Sequence, residues 1–325
     1  MKRNLSIPLF VIFLSLFMFS CGKEDTPSPD LPGGTTFIAG HTVAKEAVLR
    51  SIPVEYIDKA RTTLHIAYQH TSHGTHVSRG LFGLPDYKEG DARLFAITND
   101  HPKKEKLDFH DYALAPYAAP GKDASDLSRN ETAFIQATRN FLDDPKNADI
   151  NVVMWSWCNI AGHHVSENYL KGMDSLITEY GRGGSKIGTE EGQREVAVTF
   201  IFMTGHANAG DNTGEGKPKN QADLIIDYCK EHRQFCLDYY SIDTHDMDDH
   251  CWEDAGDNGQ SAAYDGNFYE DWQNSHQLGV DWYENRDAPG GNPTFGAHNT
   301  QHITANRKAY AMWWVLARIA GWNGE

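Results

Sequence analysis

Basic side chains are scarce in this 325-residue chain: 29 lysines and arginines stand against 45 aspartates and glutamates, for a formal charge of −16. An excess of that sign repels phosphate backbones and anionic headgroups, which excludes nucleic acid as a partner. Long apolar runs are scarce too. Beyond residue 21 no stretch is apolar enough to span a bilayer, and no self-similar period marks a repeat protein. There is no His-Glu-x-x-His, no paired Cys-x-x-Cys and no complete calcium loop, so no metal or other cofactor is expected. Cysteine is sparse, with five in all: Cys21, Cys158, Cys229, Cys236 and Cys251.

The one long apolar run, residues 5–19, follows the basic pair Lys2 and Arg3. It is shorter than the roughly 20 residues a spanning helix needs, and it ends in Met18-Phe19-Ser20-Cys21-Gly22. That layout is a secretory signal, and its end resembles a bacterial lipobox, in which the cysteine becomes the acylated N-terminus after cleavage. Residues 1–20 are thus expected to be removed, which takes the charge from −16 to −18 because Lys2 and Arg3 leave and no acid does. Residues 21–37 are rich in Pro, Gly and Ser and read as a tether. The acidic pair Glu24-Asp25 resembles the export signal of surface lipoproteins in Bacteroidota. The resemblance implies a domain on the outer face of the outer membrane, touching lipid only through Cys21. In an oxidising compartment the other four cysteines can form up to two disulfides, with three possible pairings.

Residues 38–325 contain no second linker and read as one domain. Residues 61–68, 149–157, 195–203 and 235–242 predict strands, and the second of these is a continuous β-branched and aromatic run of the kind buried on both faces. Residues 131–142, capped by Asn130, with 168–180, 221–232 and 304–320, predict helices. The alternation implies a three-layer α/β/α domain around a parallel, flavodoxin-like sheet, whose ligands sit at the carboxyl ends of the strands. The aromatic stripe Tyr310, Trp313 and Trp314 of the last helix reads as core.

Polar, histidine-rich clusters fall at those strand ends: His70 to His76, Cys158 to His164, Gly205 to Asn208, and Asp243 to Cys251. Ser72 follows the first strand in a tight turn with Gly74, a place for an exposed nucleophile where backbone amides are free, though serine in such a turn also commonly caps a helix. Ala297-His-Asn-Thr-Gln-His-Ile-Thr304 stands just before the last helix. A serine after the first strand, paired with a histidine before the last helix, resembles the SGNH (GDSL-type) hydrolases. Their closing Asp-x-x-His block is matched by Asn299-Thr-Gln-His302, with asparagine for aspartate. The resemblance implies Ser72 as nucleophile, His302 as base and Asn299 as its orienting group, with His298 as the alternative base. The first block departs from the family, reading His70-Thr-Ser-His in place of Gly-Asp-Ser. Ser156-Trp-Cys-Asn159 occupies the third block, which gives Cys158 or Asn159 the oxyanion-donor place, and His206 is positioned to touch substrate.

The expected function is a cell-surface serine esterase that removes an acyl group from a glycan. The polysaccharide part rests on surface anchoring and on Trp252, Tyr264, Trp272, Trp282 and Tyr283, whose rings suit sugar faces. Two rival readings stay open. One is a glycosidase or lyase with acid and base groups from Asp243, Asp246, His206 and His298. The other is a non-catalytic glycan-binding lipoprotein. His70, His73 and His76 are also spaced so that three imidazoles can meet, and the acidic stretch 243–257 offers calcium-type ligands.

Overall fold

The computed structural model describes residues 37–324, all within one compact unit of the chain; the signal, Cys21 and most of the tether lie outside the described residues. In chain order the elements are β1 (Ile38–Ala39), α1 (Glu46–Ser51), α2 (Val54–Thr63), β2 (His65–Gln69), α3 (Thr75–Gly83), α4 (Asp91–Leu94), β3 (Asp108–Asp111), α5 (Ala133–Asp143), β4 (Val152–Trp155), α6 (Lys171–Tyr180), β5 (Thr199–Met203), α7 (Pro218–Glu231), β6 (Cys236–Leu237), α8 (Tyr239–Thr244), the hairpin β7 (Gln260–Ser261) and β8 (Gly266–Asn267), α9 (Phe268–Ser275) and α10 (Ile303–Ile319).

Six strands form a sheet in the order β1-β6-β5-β4-β2-β3, with every pairing parallel. Counted from β2, and leaving aside the two-residue edge strand β1, the order is 2-1-3-4-5, that of flavodoxin-like sheets. Successive side chains on a strand point to opposite faces, and here both faces are core. Ile66, Tyr68, Val152, Met154, Ile201 and Met203 join Leu49, Ile57, Leu81 and Trp313 of α1, α2, α3 and α10. Ala67, Val153, Trp155, Phe200 and Phe202 join Phe134, Phe141, Met173 and Ile225 of α5, α6 and α7. This explains why the strands read as unbroken apolar runs. Tyr310, Trp313 and Trp314 are buried in the first of these cores, as packing and not as a platform. α10 lies so close to α3 that a Cβ on Gly80 would stand 2.2 Å from the Ala305 carbonyl oxygen.

Two expected strands are corrected. Residues 61–63 are the last turn of α2, because Ile57, Ala60 and Arg61 bury at helical spacing; the strand starts at His65. Only Cys236 and Leu237 of 235–242 are extended. Asp238 then ends the strand by accepting a hydrogen bond from the Ser241 amide, and α8 begins. The expected helix 168–180 opens with a π-turn at Val165–Leu170 before α6. Asn130 does accept from the amides of Thr132 and Ala133 ahead of α5.

The chain crosses from β3 back over β2 to β4, so the carboxyl ends of β2 and β4 flank the switch point where a ligand crevice opens in such sheets.

Candidate functional site

The turn between β2 and α3 is pinned from several sides. Tyr68 donates to the Gly74 carbonyl (3.1 Å), Tyr239 donates to the His73 carbonyl (2.8 Å), and the Thr75 hydroxyl donates to the Ser72 carbonyl (2.6 Å). Gly74 is required here, since a Cβ would stand 2.2 Å from the His70 Cβ and 2.6 Å from the Ser156 hydroxyl. Held this way, the turn sends the His73 ring into the crevice at the switch point.

There His73 stands between two partners. Its Nδ1 is 3.8 Å from the Cys158 sulfur, just past the end of β4, and its Nε2 is 3.4 Å from Asp257 Oδ2. Asp257 arrives on the long segment between α8 and α10. That segment is tied to the loop after β5 by Asn212, whose amide donates to the carbonyls of Glu253 (2.9 Å) and Ala255 (2.7 Å). The Nε2–Oδ2 contact is an ion pair and not an aligned hydrogen bond, and Asp257 Oδ2 is buried with no hydrogen-bond partner. The His206 ring stacks on His73 at 3.6 Å and 12°, and His298, exposed and at φ 62°, covers it at 4.8 Å.

The electrostatics follow from this placement. Burial opposes charge on His73, but Asp257 and Cys158 outweigh it and push its pKa up to about 9. The His73 hydrogen bond draws the Cys158 thiol below its ordinary value against the effect of burial. Burial raises the Asp257 carboxyl, yet His73, His76 and His206 together hold it below the usual range. His206 is taken down to about 4 by burial and by the charge on His73. It is therefore neutral, and with its Nδ1 2.8 Å from the Ala207 carbonyl that nitrogen carries the proton, leaving Nε2 a bare lone pair. Beneath the cluster, Lys308 donates to Asp243 (2.6 Å) and lies 3.4 Å from His76 Nδ1, all fully buried. Burial raises Asp243 and lowers Lys308, each offset by the other.

The residues expected to act together are not all joined. The Ser72 hydroxyl makes no hydrogen bond among the described residues. His302 stands at the start of α10 with Nδ1 accepting from the Asn285 amide (3.0 Å) and its ring beside Trp282 and Phe295. Burial, then Arg286, takes it down to about 4. Asn299 accepts from the Gln301 amide (2.7 Å) and donates to the Asp257 carbonyl (3.3 Å), not to His302. The Ser72–His302–Asn299 unit is thus not assembled, because the segment before α10 packs His302 away from the crevice. Asn159 accepts from the Ala161 amide through Oδ1 (3.0 Å), which leaves its Nδ2 as a donor. His298, His206 and Cys158 each reach His73, and Asn299 donates to the Asp257 carbonyl.

The other options also resolve. His70 turns to Asp111 (2.8 Å) and His76, whose ring lies 6.5 Å from that of His73, turns to the Ala297 carbonyl (2.9 Å), so the three do not offer nitrogens to one point. Asp243 is paired with Lys308, and Asp246 is occupied by the amides of Asp248 and His250 and by Trp252. Tyr283 is buried. A different trio brings its ligand atoms within 4.8 Å of one another: His73, His206 and Asp257. Cavities of about 450 Å³ lie elsewhere, one at the amino end of β2 against Arg61 and His65 and one against Leu142 and Arg194, so cavity size does not mark this site.

Asp257 has no local signal in the sequence, and His73 is visible there only as one of three spaced histidines. The available clue was position: both His73 and Cys158 directly follow strands that flank the switch point. Comparison with family models, with curated proteins and with solved structures returned no match.

Proposed function

We propose that this protein is a cell-surface lipoprotein that hydrolyses an ester, an acyl group on a glycan, with Cys158 as the nucleophile in place of Ser72. The observation that carries the reading is the line Cys158–His73–Asp257: a half-buried thiol, an imidazole reaching it with one nitrogen, and a carboxylate at the other. A thiol drawn toward its thiolate by an adjacent imidazolium is the activated form of that nucleophile. The thiolate attacks the ester carbonyl, and the tetrahedral intermediate collapses as His73 hands its proton to the departing sugar oxygen. Water, deprotonated by His73, then attacks the thioester and the thiolate leaves. Asp257 keeps the ring oriented and its charge balanced. The amides of residues 72–74, ahead of α3 and without hydrogen bonds among the described residues, supply donors for the oxyanion. The glycan assignment rests on the half-buried Trp252, Tyr264, Trp272 and Trp282, which cluster in the segment that carries Asp257.

The test compares the purified protein with Cys158→Ala and Ser72→Ala on acetylated xylan and on p-nitrophenyl acetate. Cys158→Ala should lower turnover by a factor of at least ~10³, the order expected for loss of a catalytic nucleophile, while Ser72→Ala keeps most of it. The opposite pattern would return the role to Ser72. Full activity in both variants would remove nucleophilic catalysis and favour acid–base chemistry by the histidines.

A further inference from the structure

We propose that His73, His206 and Asp257 form a binding site for one divalent transition-metal ion of the zinc class, and that the ion, when bound, silences the Cys158 nucleophile. The binding stands on geometry alone; the silencing rests on the hydrolase reading above.

Three donors already lie within 4.8 Å of one another. Bonds of about 2.1 Å in a tetrahedral site set donors roughly 3.4 Å apart, so the trio needs only a modest contraction. His206 is prepared for it. Its Nδ1 lies 2.8 Å from the Ala207 carbonyl, the kind of supporting hydrogen bond that metal-bound histidines commonly make, which leaves Nε2 as the nitrogen to bind an ion. Asp257 Oδ2 is buried and has no hydrogen-bond partner, a costly state that a cation at this point would relieve. The His73 and His206 rings now stack face to face, so His73 must turn and release its proton to share an ion. Its polar contacts are a long 3.8 Å approach to sulfur and a 3.4 Å ion pair with Asp257, and the ion would keep the second of these while the turn gives up the first and the stacking on His206 and His298. Two imidazoles and one carboxylate select zinc or its neighbours over magnesium or calcium, which prefer all-oxygen shells. Three protein ligands leave a fourth position open, which water completes. Turning His73 onto the ion, through the Nε2 that faces Asp257, takes its Nδ1 away from the thiol, and the metal-bound ring can no longer exchange a proton there.

The experiment uses the purified full-length protein, stripped with EDTA and titrated with Co²⁺ and Zn²⁺. One Co²⁺ per chain with the visible absorption of a four-coordinate ion is expected. His206→Gln and Asp257→Asn should each weaken binding at least tenfold with unchanged circular dichroism, while His232→Ala, on the distant exposed end of α7, binds as the parent does. Saturating Zn²⁺ should slow alkylation of Cys158 by iodoacetamide at least tenfold and suppress ester hydrolysis, with recovery on EDTA. Absence of a four-coordinate site, or binding indifferent to both substitutions, overturns the metal inference; if Cys158-dependent hydrolysis persists in that case, the hydrolase reading survives. Hydrolysis that rises with Zn²⁺ and is lost on chelation overturns the silencing and the thiol mechanism together, while the metal site stands.

Discussion

Asp108, the first residue of β3, is held by two histidines: His65 of β2, its register partner, donates from 2.8 Å, and His110, two residues on and on the same face, lies 3.0 Å away. Burial opposes ionisation of Asp108, but the two rings draw its pKa down to about 2, and its hydrogen bond raises that of His65, with Asp149 adding to it. Asp100 faces His110 from the other side at 3.6 Å. A carboxyl depressed on folding stabilises above its unfolded pKa near ~3.9 and loses that contribution as pH falls through the folded value; a raised histidine stabilises below ~6.5 and loses it as pH rises through its folded value. The cluster therefore contributes most between about pH 4 and 6.5. Urea midpoints of Asp108→Asn should fall furthest below the parent in that window and approach it at pH 8 and above. A constant offset across pH would mean that the loss is one of packing. At this scale the sequence is only partly legible. Cys158 and His206 stand out because each follows a buried strand, but nothing beside Asp257 shows that it will meet His73, since the two are far apart in the chain and only the fold joins them.

Elements were easier to read where one force dominates. β4 and α10 stand close to their expected limits because an unbroken apolar run and a helical stripe leave few alternatives, and β5 ends where expected but starts at Thr199, four residues late. β6 and the start of β2 were misplaced where a cap or a helix end decides the boundary, as Asp238 does for α8. The α3–α10 contact shows what pattern alone conceals. At Gly80 the α10 backbone lies against α3, and an added methyl would lie 2.2 Å from the Ala305 carbonyl oxygen and 3.1 Å from the Ala309 Cβ. Backbone cannot yield as a flexible side chain does. Gly80→Ala would gain ~1 kcal/mol of helix propensity, but overpacking costs about 1–3 kcal/mol, and contact with rigid backbone puts this site at the upper end. Net destabilisation of roughly 1–2 kcal/mol is expected from urea unfolding. Stabilisation would show that α3 and α10 stand further apart.

For the molecule as a whole, strand order was legible in outline because buried, unalternating strands demand helices on both faces, and the parallel 2-1-3-4-5 sheet satisfies that demand. β3 was not, because Asp-Phe-His-Asp carries too few apolar residues to declare itself. The location of the molecule rests on the first residues of the chain, outside the described part. No helix among the described residues is long and apolar enough to cross a membrane. A net charge of −16 argues against adsorption to anionic lipid. If the lipobox-like sequence is used, acylation of Cys21 supplies a membrane attachment, and each buried methylene contributes ~0.8 kcal/mol, so two or more chains hold the protein stably while a free cysteine holds nothing. Cys21→Ala should move the protein from the detergent-rich to the aqueous phase on Triton X-114 partitioning, and from membrane to soluble fractions in cells, without change in its thermal unfolding. Surface placement should show as protease accessibility of the parent in intact cells. Identical partitioning of parent and Cys21→Ala would remove the lipid anchor, and with it the case for a substrate met at the cell surface.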